Sequence, residues 1–426
     1  MEGAPREATS KNELAEFSER GYDGLDDDDD DNYGQGKLTK IERLIEWNVD
    51  ILSSLIIQIL AARDTRPSAV KHIENQLAKG DTVLEEFKEI ITLPKVGLQD
   101  IQKRKHPSSI QLDSKVVAQL RDYIIQVAGM YRENAFHNFE HASHVTMSVS
   151  KLLGRIVAEK VTDGGRHSQG THDGTYGIAS DPLAQFAVIL SALVHDVDHR
   201  GVPNFQLIRE NKQLADKYKN KSVAEANSTD LAWDQLMVPK FKELRECLYS
   251  NTTELLRFRA LIVNTVLATD IFDKELGLLR RNRWDKAFSI DDSQCTLDDV
   301  NRRGTIVMEH LIQASDVAHT MQHYQIFKKW NERLFCEMYE AYKQGRSEKN
   351  PIDGWYQSEI GFFDHYVIPL AKKLKDCGVF GVSSDEYLNY ALENRREWSN
   401  RGEEVVEQMR LKYVLDDSEV EGEGES

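Results

Sequence analysis

Cysteine is scarce and scattered. Four residues (Cys247, Cys295, Cys336 and Cys377) occur in 426, and no two stand in a CxxC spacing. That argues against a disulfide framework or a cysteine zinc site and fits a reducing, cytoplasmic compartment. Long apolar runs are missing too. No stretch reaches the roughly 18 residues that read as a bilayer span, so direct membrane insertion is not expected. The longest, "ILSSLIIQILAA" at 51–62, is broken by Ser53, Ser54 and Gln58 and reads as a packed helix. The first residues are polar and acidic, unlike a secretory leader. No clustered basic footprint appears, so nucleic acid is not an expected partner. Period-two patterns and Asn-Gly hairpin signals are lacking, and no internal repeat is visible. The expected fold class is all-α.

What is present is acid, unevenly placed. The net charge is -17; residues 1–36 hold twelve acids and three bases, and 416–426 hold six acids and no base. The body between them is close to neutral. A run such as "DDDDDD" (26–31) repels itself and buries nothing, so both acidic ends read as disordered. A docking site for a basic partner is the other reading of the arm. The chain divides into an acidic arm (1–36), a helical strut or linker (37–84), a body (85–411) and an acidic tail (412–426).

In the strut, Leu44, Ile45, Trp47, Ile51, Leu52, Leu55 and Ile59 recur at helical spacing. It reads as a strut on the body or as an inter-domain or dimer helix. In the body, helical patterns follow one another at 115–130, 138–158, 182–196, 254–270, 302–323, 325–344, 356–375 and 384–411. A glycine-rich stretch, 162–177, interrupts them. Its His167 and His172 lack an acidic or cysteine partner at useful spacing, so it reads as a mobile surface loop.

Three short stretches carry chemistry. In "LVHDVDHRG" (193–201), His195 and Asp196 end an apolar helical run. Adjacent His and Asp face apart within a regular helix, but at its terminus both reach one ion. Asp196 has a second oxygen for another. Zinc takes both ligand types, whereas a harder ion takes carboxylate oxygen and keeps its waters. The alternative is a buried pair satisfied by hydrogen bonds. "AFHNFEHASH" (135–144) sets His137, His141 and His144 on one helical face. Histidines four apart can share a metal, but no Glu stands between them as in HExxH. Glu140 is adjacent to His141 and points elsewhere. "HLIQASDVAHTMQHY" (310–324) puts Asp316 among apolar periodic residues. A carboxylate there is costly unless paired or metal-bound; a partly exposed Asp is the other reading.

Together these stretches resemble a known family. "FHNFEHASHV", "HDVDHRGVPN", "ATDIFDK", "QASDVAH", Trp330 with Glu337, and "SEIGFFDHYVIPL" stand in the order found in class I 3′,5′-cyclic-nucleotide phosphodiesterases. The resemblance runs from about Glu85 to about Trp398, where "NRREW" matches the closing helix. It implies a compact, multi-helix, HD-type catalytic domain. It implies metal-dependent hydrolysis of the 3′ phosphoester of cGMP and/or cAMP to the 5′-nucleotide, in signal transduction. His141, His195, Asp196 and Asp316 match the ligands of a tightly held cation, usually zinc. Asp196 would also touch a second cation, usually magnesium or manganese, with a hydroxide bridging the two and attacking phosphorus. His137 matches the general acid toward O3′, Glu337 the carboxylate that orients it, and His199 a histidine near the metal waters. Phe362 matches the aromatic that stacks on the base. Trp330 and Trp398 read as packing residues, and His144 as a packed histidine without chemistry. The implied partner is a small cyclic nucleotide. A homodimer, and a place at the cytosolic face of a membrane through a partner, are compatible with the resemblance. Two other readings stand beside it: a relative that binds cyclic nucleotide with weak or no turnover, and another HD-type phosphohydrolase.

The departures from the family fall around the base and behind the metal ligands. Glu359 stands where the family has a glutamine that serves the base edge. Phe136 replaces a tyrosine, His319 an asparagine, and Gln313 and Lys274 each a histidine. Ala226, Asn227 and Ser228 replace Asn-His-His after Glu225. Glu359, Phe362, His319 and Phe136 are the candidate substrate contacts. An ionised carboxylate only accepts hydrogen bonds. Guanine offers two adjacent donors, whereas adenine offers one donor beside an acceptor. An ionised Glu359 within reach of the base therefore favours cGMP; one turned to solvent leaves a weakly selective enzyme.

Overall fold

Pro182 begins the helix around which the others pack. The computed structural model describes residues 38–63, 83–94, 104–158, 174–291, 294–380 and 385–415. The acidic arm 1–36, the acidic residues 416–426 and the stretch around His167 and His172 lie outside them. Among the described residues, α1 spans Lys40–Ala62, α2 Ser114–Met130, α3 Phe139–Ala158 and α4 Pro182–Val194. They are followed by α5 Val223–Met237, α6 Thr252–Leu267, α7 Lys274–Phe288 and α8 Leu297–Asp316. Next come α9 Tyr324–Lys343, α10 Trp355–Phe362, α11 Ile368–Asp376 and α12 Glu386–Met409, and a π turn, Phe363–Val367, joins α10 to α11. No described residue is in a strand, and the fold is all-α as expected.

Helix α4 has Pro182 at its first position, where a missing N–H costs nothing. Asp181 caps it, accepting the Ala184 N–H at 3.2 Å. All its residues from Pro182 to Val194 are buried. A helix apolar on every side is a core helix, and α1, α3 and α6 surround this one. Helix α1 starts at a capping box, in which Thr39 and Glu42 satisfy each other's backbone N–H; such a cap is worth about 1 kcal/mol. Leu44, Ile51, Leu52, Leu55 and Ile56 of α1 are fully buried, each stabilising by roughly 1.5–3 kcal/mol relative to exposure. By length and composition alone α1 is apolar enough to cross a bilayer. Its apolar face is instead covered by α2, α3 and α4. Gly304 lets α8 touch the chain beside it, since a Cβ there would lie 2.7 Å from Leu93 Cδ1 and 3.0 Å from the Tyr176 carbonyl oxygen.

Helices α5 and α7 were not expected from periodicity, and their inward residues explain why. Helix α7 buries Arg280 and Arg283 while Leu278 and Leu279 face solvent. Helix α5 buries Asn227, Ser228 and Thr229. Polar residues on the inner face hide the apolar stripe that marks a helix.

Candidate metal centre and active site

Three helix ends meet at one point. Asn138 precedes α3 and its side-chain oxygen accepts the His141 N–H at 3.0 Å. His141 therefore sits in the first turn. Helix α4 ends at Val194, leaving His195 and Asp196 at its mouth, and Asp316 is the last residue of α8. The turn after α4 is held from several sides. Asp198 adopts a left-handed φ of 61°, and its N–H bonds to the Met130 carbonyl at 3.1 Å. Its carboxylate takes Arg132 Nε at 2.8 Å and Asn227 Nδ2 at 3.2 Å. Ser228 Oγ donates to the Val197 carbonyl at 2.8 Å. Two of the positions that depart from the family are thus used to fasten this turn.

One nitrogen or oxygen from each of His141, His195, Asp196 and Asp316 lies within 4.8 Å of the others. His141 Nε2 is 3.0 Å from Asp316 Oδ1 and 3.7 Å from Asp196 Oδ2. His195 Nε2 is 3.0 Å from Asp196 Oδ2 and 3.3 Å from Asp316 Oδ1. With Nδ1 donating to the Ala192 carbonyl at 2.9 Å, His195 turns its Nε2 lone pair toward the carboxylates. Despite the short distances, His195 Nε2 is buried without a hydrogen bond of good geometry. An orphaned nitrogen facing two carboxylate oxygens fits a cation between them, and the mixed N/O donor set fits zinc. Without a cation, the two carboxylates hold the His195 pKa well above its ordinary value against the pull of burial. Burial keeps His141 low.

A second cluster lies alongside. His137 Nδ1 is 2.5 Å from Glu337 Oε1. Glu337 Oε2 accepts the backbone N–H of Phe136 at 2.8 Å and of His137 at 2.9 Å. One carboxylate thereby fixes both the ring and the backbone of His137. Burial alone would lower the His137 pKa; the charge and hydrogen bond of Glu337, with Asp196 and Asp316 beyond, raise it to about 9. The His199 ring lies 3.9 Å from the His137 ring. Burial and the His137 charge push the His199 pKa down to about 4, so this ring is neutral beside a charged one. Asn134 Nδ2 ties the two loops, donating to the His137 carbonyl at 2.9 Å and the His199 carbonyl at 2.8 Å. Gly201, at a φ of 67°, would push a Cβ to 3.4 Å from Glu337 Cγ.

The half-buried Glu225 and the buried Asp270 form a further pair that no sequence spacing marks. Asn204 Nδ2 donates to Glu225 Oε2 at 2.9 Å and to Asp270 Oδ2 at 3.3 Å. Burial, then Asp270, push the Glu225 pKa up to about 8, and Asp196 adds to the effect. These residues are far apart in sequence, and no spacing joins them. Asn134 was missed for a similar reason, because its partners are backbone carbonyls.

The candidate substrate contacts divide. The Phe136 ring lies 4.8 Å from His137, 4.6 Å from His141 and 5.5 Å from His319. A cleft open to solvent is lined by His141, Asp316, His144, His319, Trp330 and the buried, unpartnered hydroxyl of Ser315. Burial lowers the His319 pKa to about 3, so the ring is neutral. Glu359 and Phe362 are not on the wall of this cleft. Phe362 stacks on Tyr366 at 5.3 Å, whose hydroxyl is within reach of the Asp316 charge. Glu359 is buried against Asn331, and burial raises its pKa to about 7. His144 is half-buried, 5.3 Å from the Trp330 ring. Glu140 turns away from the metal ligands to Lys40 and Arg333.

The model of the family described as 3′5′-cyclic nucleotide phosphodiesterase matches residues 136–379. A probable 3′,5′-cyclic-AMP phosphodiesterase of Caenorhabditis elegans is 28% identical over 291 residues, 65% of this chain and 39% of that protein. The cGMP-specific 3′,5′-cGMP phosphodiesterase 3 of Dictyostelium discoideum is 23% identical over 292 residues, 66% of this chain and 55% of that protein. The chain thus spans about two fifths to just over half the length of these relatives. The crystal structure of the phosphodiesterase domain of a rhodopsin phosphodiesterase from Salpingoeca rosetta shares the fold, with a TM-score of 0.54 at 21% identity. That match covers 81% of this chain and 99% of the solved one.

Proposed function

We propose that this chain, which belongs to the 3′,5′-cyclic nucleotide phosphodiesterase family, hydrolyses a 3′,5′-cyclic nucleotide to the 5′-nucleotide. The observation that carries the reading is the side-by-side placement of two clusters. Two imidazoles and two carboxylates converge within 4.8 Å, and beside them an imidazole is held by a buried glutamate at 2.5 Å.

Hydrolysis joins a water oxygen to phosphorus and breaks the P–O3′ bond, so O3′ needs a proton. His137 is the donor. Glu337 takes its Nδ1, leaving Nε2 to face the substrate. With a pKa near 9 the ring is charged at neutral pH, yet far more acidic than the alcohol that O3′ becomes. Transfer to the leaving oxygen is therefore downhill. His199 stays neutral and supports the ring by stacking. His141, His195, Asp196 and Asp316 would hold a zinc-type ion. Asp196 would also help hold a magnesium- or manganese-type ion. Two such cations, when bound, lower the pKa of a water and offset charge on the phosphoryl oxygens. Phe362 and the neutral His319 are assigned to the base, and Glu359 to its edge.

The test is direct. The purified chain, with Mg²⁺ or Mn²⁺, is given cAMP and cGMP, and 5′-nucleotide is quantified. Turnover of at least one is expected. Binding without turnover would favour a regulatory module instead, and neither binding nor turnover a different phosphoester substrate.

A further inference from the structure

We infer that Glu140 is a positioning residue that locks the His141 turn to helix α1 and to Trp330, and thereby sets metal affinity. The inference rests on reading His141 as a metal ligand.

Glu140 directly precedes His141 in the first turn of α3. Its Oε1 lies 3.0 Å from Lys40 Nζ and 3.0 Å from Arg333 Nη1, the latter an ion-pair contact without a hydrogen bond of good geometry, with His144 Nε2 at 3.7 Å. One carboxylate oxygen therefore joins α1, α3 and α9. Each partner is itself anchored. Lys40 is the first residue of α1, inside the Thr39–Glu42 capping box. The Arg333 guanidinium lies 4.7 Å over the Trp330 ring, a cation–π distance. That ring stands 5.7 Å from His141 and 6.3 Å from His319. Arg333 thus holds the aromatic wall behind the ligand while Glu140 holds the backbone that carries it. A negative side chain also suits the N-terminal turn of α3. Removing the carboxylate leaves Lys40 and Arg333 facing each other as like charges across the same gap. Both α1 and α9 are then pushed from the turn that aims His141.

An ordinary half-exposed ion pair contributes only about 0–1 kcal/mol to stability and nothing to metal binding. Groups that orient metal ligands change metal affinity by about 10–100-fold. Metal affinity therefore separates the two. Binding of Zn²⁺ to the full, metal-stripped chain is measured by calorimetry, without substrate. For Glu140→Gln the expected result is an apparent Kd for Zn²⁺ raised about tenfold, with kcat of the fully metal-loaded protein close to wild type. Lys40→Ala should raise the Kd several-fold and Lys40→Arg should leave it unchanged. If Glu140→Gln proves too unstable to purify, Lys40→Ala, at the edge of α1, carries the same test. Wild-type Zn²⁺ affinity in these variants, with at most a lowered melting temperature, overturns the inference. A metal-stripped wild-type chain that binds no Zn²⁺ overturns the metal reading on which it rests.

Discussion

Two groups of carboxylates in this fold, one buried and one mostly half-buried, follow opposite charge logic. Where α7 meets α8, Glu309 pairs with the buried Arg283 guanidinium and accepts Asn264 Nδ2 at 3.1 Å. Asn264 in turn accepts the Lys88 N–H at 2.9 Å and donates to the Lys88 carbonyl at 2.7 Å. One acid meets one base. Where α3, α4 and α8 meet, Asp196 and Asp316 cluster with the imidazoles of His141 and His195. Nearby, Glu225 and Asp270 share a single amide. Four acids gather there, and no guanidinium or ammonium is bonded to any of their side chains among the described residues. A buried ion without compensation costs several kcal/mol. The first group is complete in itself and holds the fold. The second has only imidazoles and a raised Glu225 pKa to offset its charge, and that shortfall is what the cations of the proposed reaction would fill.

The contrast breaks most sharply at the metal end. Asp196→Ala should lower turnover by at least about a thousandfold, roughly 4 kcal/mol of barrier. It should also abolish the rise in melting temperature that Mn²⁺ gives the wild type. Near-normal activity in a metal-loaded Asp196→Ala protein would remove the distinction between the groups. Glu309→Gln should do the reverse. It leaves the Arg283 guanidinium buried and unpaired, at a cost of about 3–5 kcal/mol in denaturant unfolding. Its kcat, measured where the protein is folded, should stay within about twofold of wild type. Equal stability of variant and wild type would show that this pair does not hold the fold.

Glu337→Gln sharpens the comparison, because this carboxylate does have a cationic partner and serves chemistry. Loss of the acid function should cost about 100-fold in kcat. The sign of the pH effect follows from His137. Its pKa is raised to about 9 by Glu337, so the protonated donor is present below that pH and lost above it. In the variant, the basic limb of the kcat/KM profile should move toward lower pH. An unmoved limb would assign it to another group.

Much of this was legible in sequence, for unequal reasons. The long helices show because their apolar residues recur on one face. Helix α7 does not, because Arg280 and Arg283 point inward to carbonyl groups and to Glu309 while Leu278 and Leu279 point out. The four residues of the candidate metal cluster stand in short motifs in a family's order. The spacing of His137 and His141 alone suggested one shared metal. Glu337, 200 residues away, draws His137 out of that site. Asn134, Asn204 and the Glu225–Asp270 pair were hidden because side chains that bond to backbone or to distant acids leave no local pattern. Glu140 read as pointing elsewhere, and where it points needed the folded positions of Lys40 and Arg333.

The smallest expected effect concerns Glu359, a carboxyl with neither a metal nor an ionic partner. The Trp355 indole N–H can only donate, so the Asn331 atom it meets at 3.0 Å is the oxygen Oδ1. The Asn331 amide nitrogen is left for Glu359, its one polar influence besides burial. One Glu359 oxygen is thus fixed as an acceptor, and any proton sits on the other. Where the base reaches this carboxyl, the pKa of about 7 governs what it meets. Below it the group presents a donor beside an acceptor, which suits adenine. Above it both oxygens accept, which suits the paired donors of guanine. The charged neighbours on α9 and α12 are engaged elsewhere: Glu332 with Lys412, and Arg395 with Asp364. The cGMP/cAMP ratio of kcat/KM should therefore rise on the order of tenfold between about pH 6 and pH 8. Titration of His137 acts on both substrates alike and cancels from the ratio. Glu359→Gln should flatten the dependence. A ratio that is flat in the wild type and unchanged in the variant would mean that Glu359 never reaches the base, and that its burial serves packing alone.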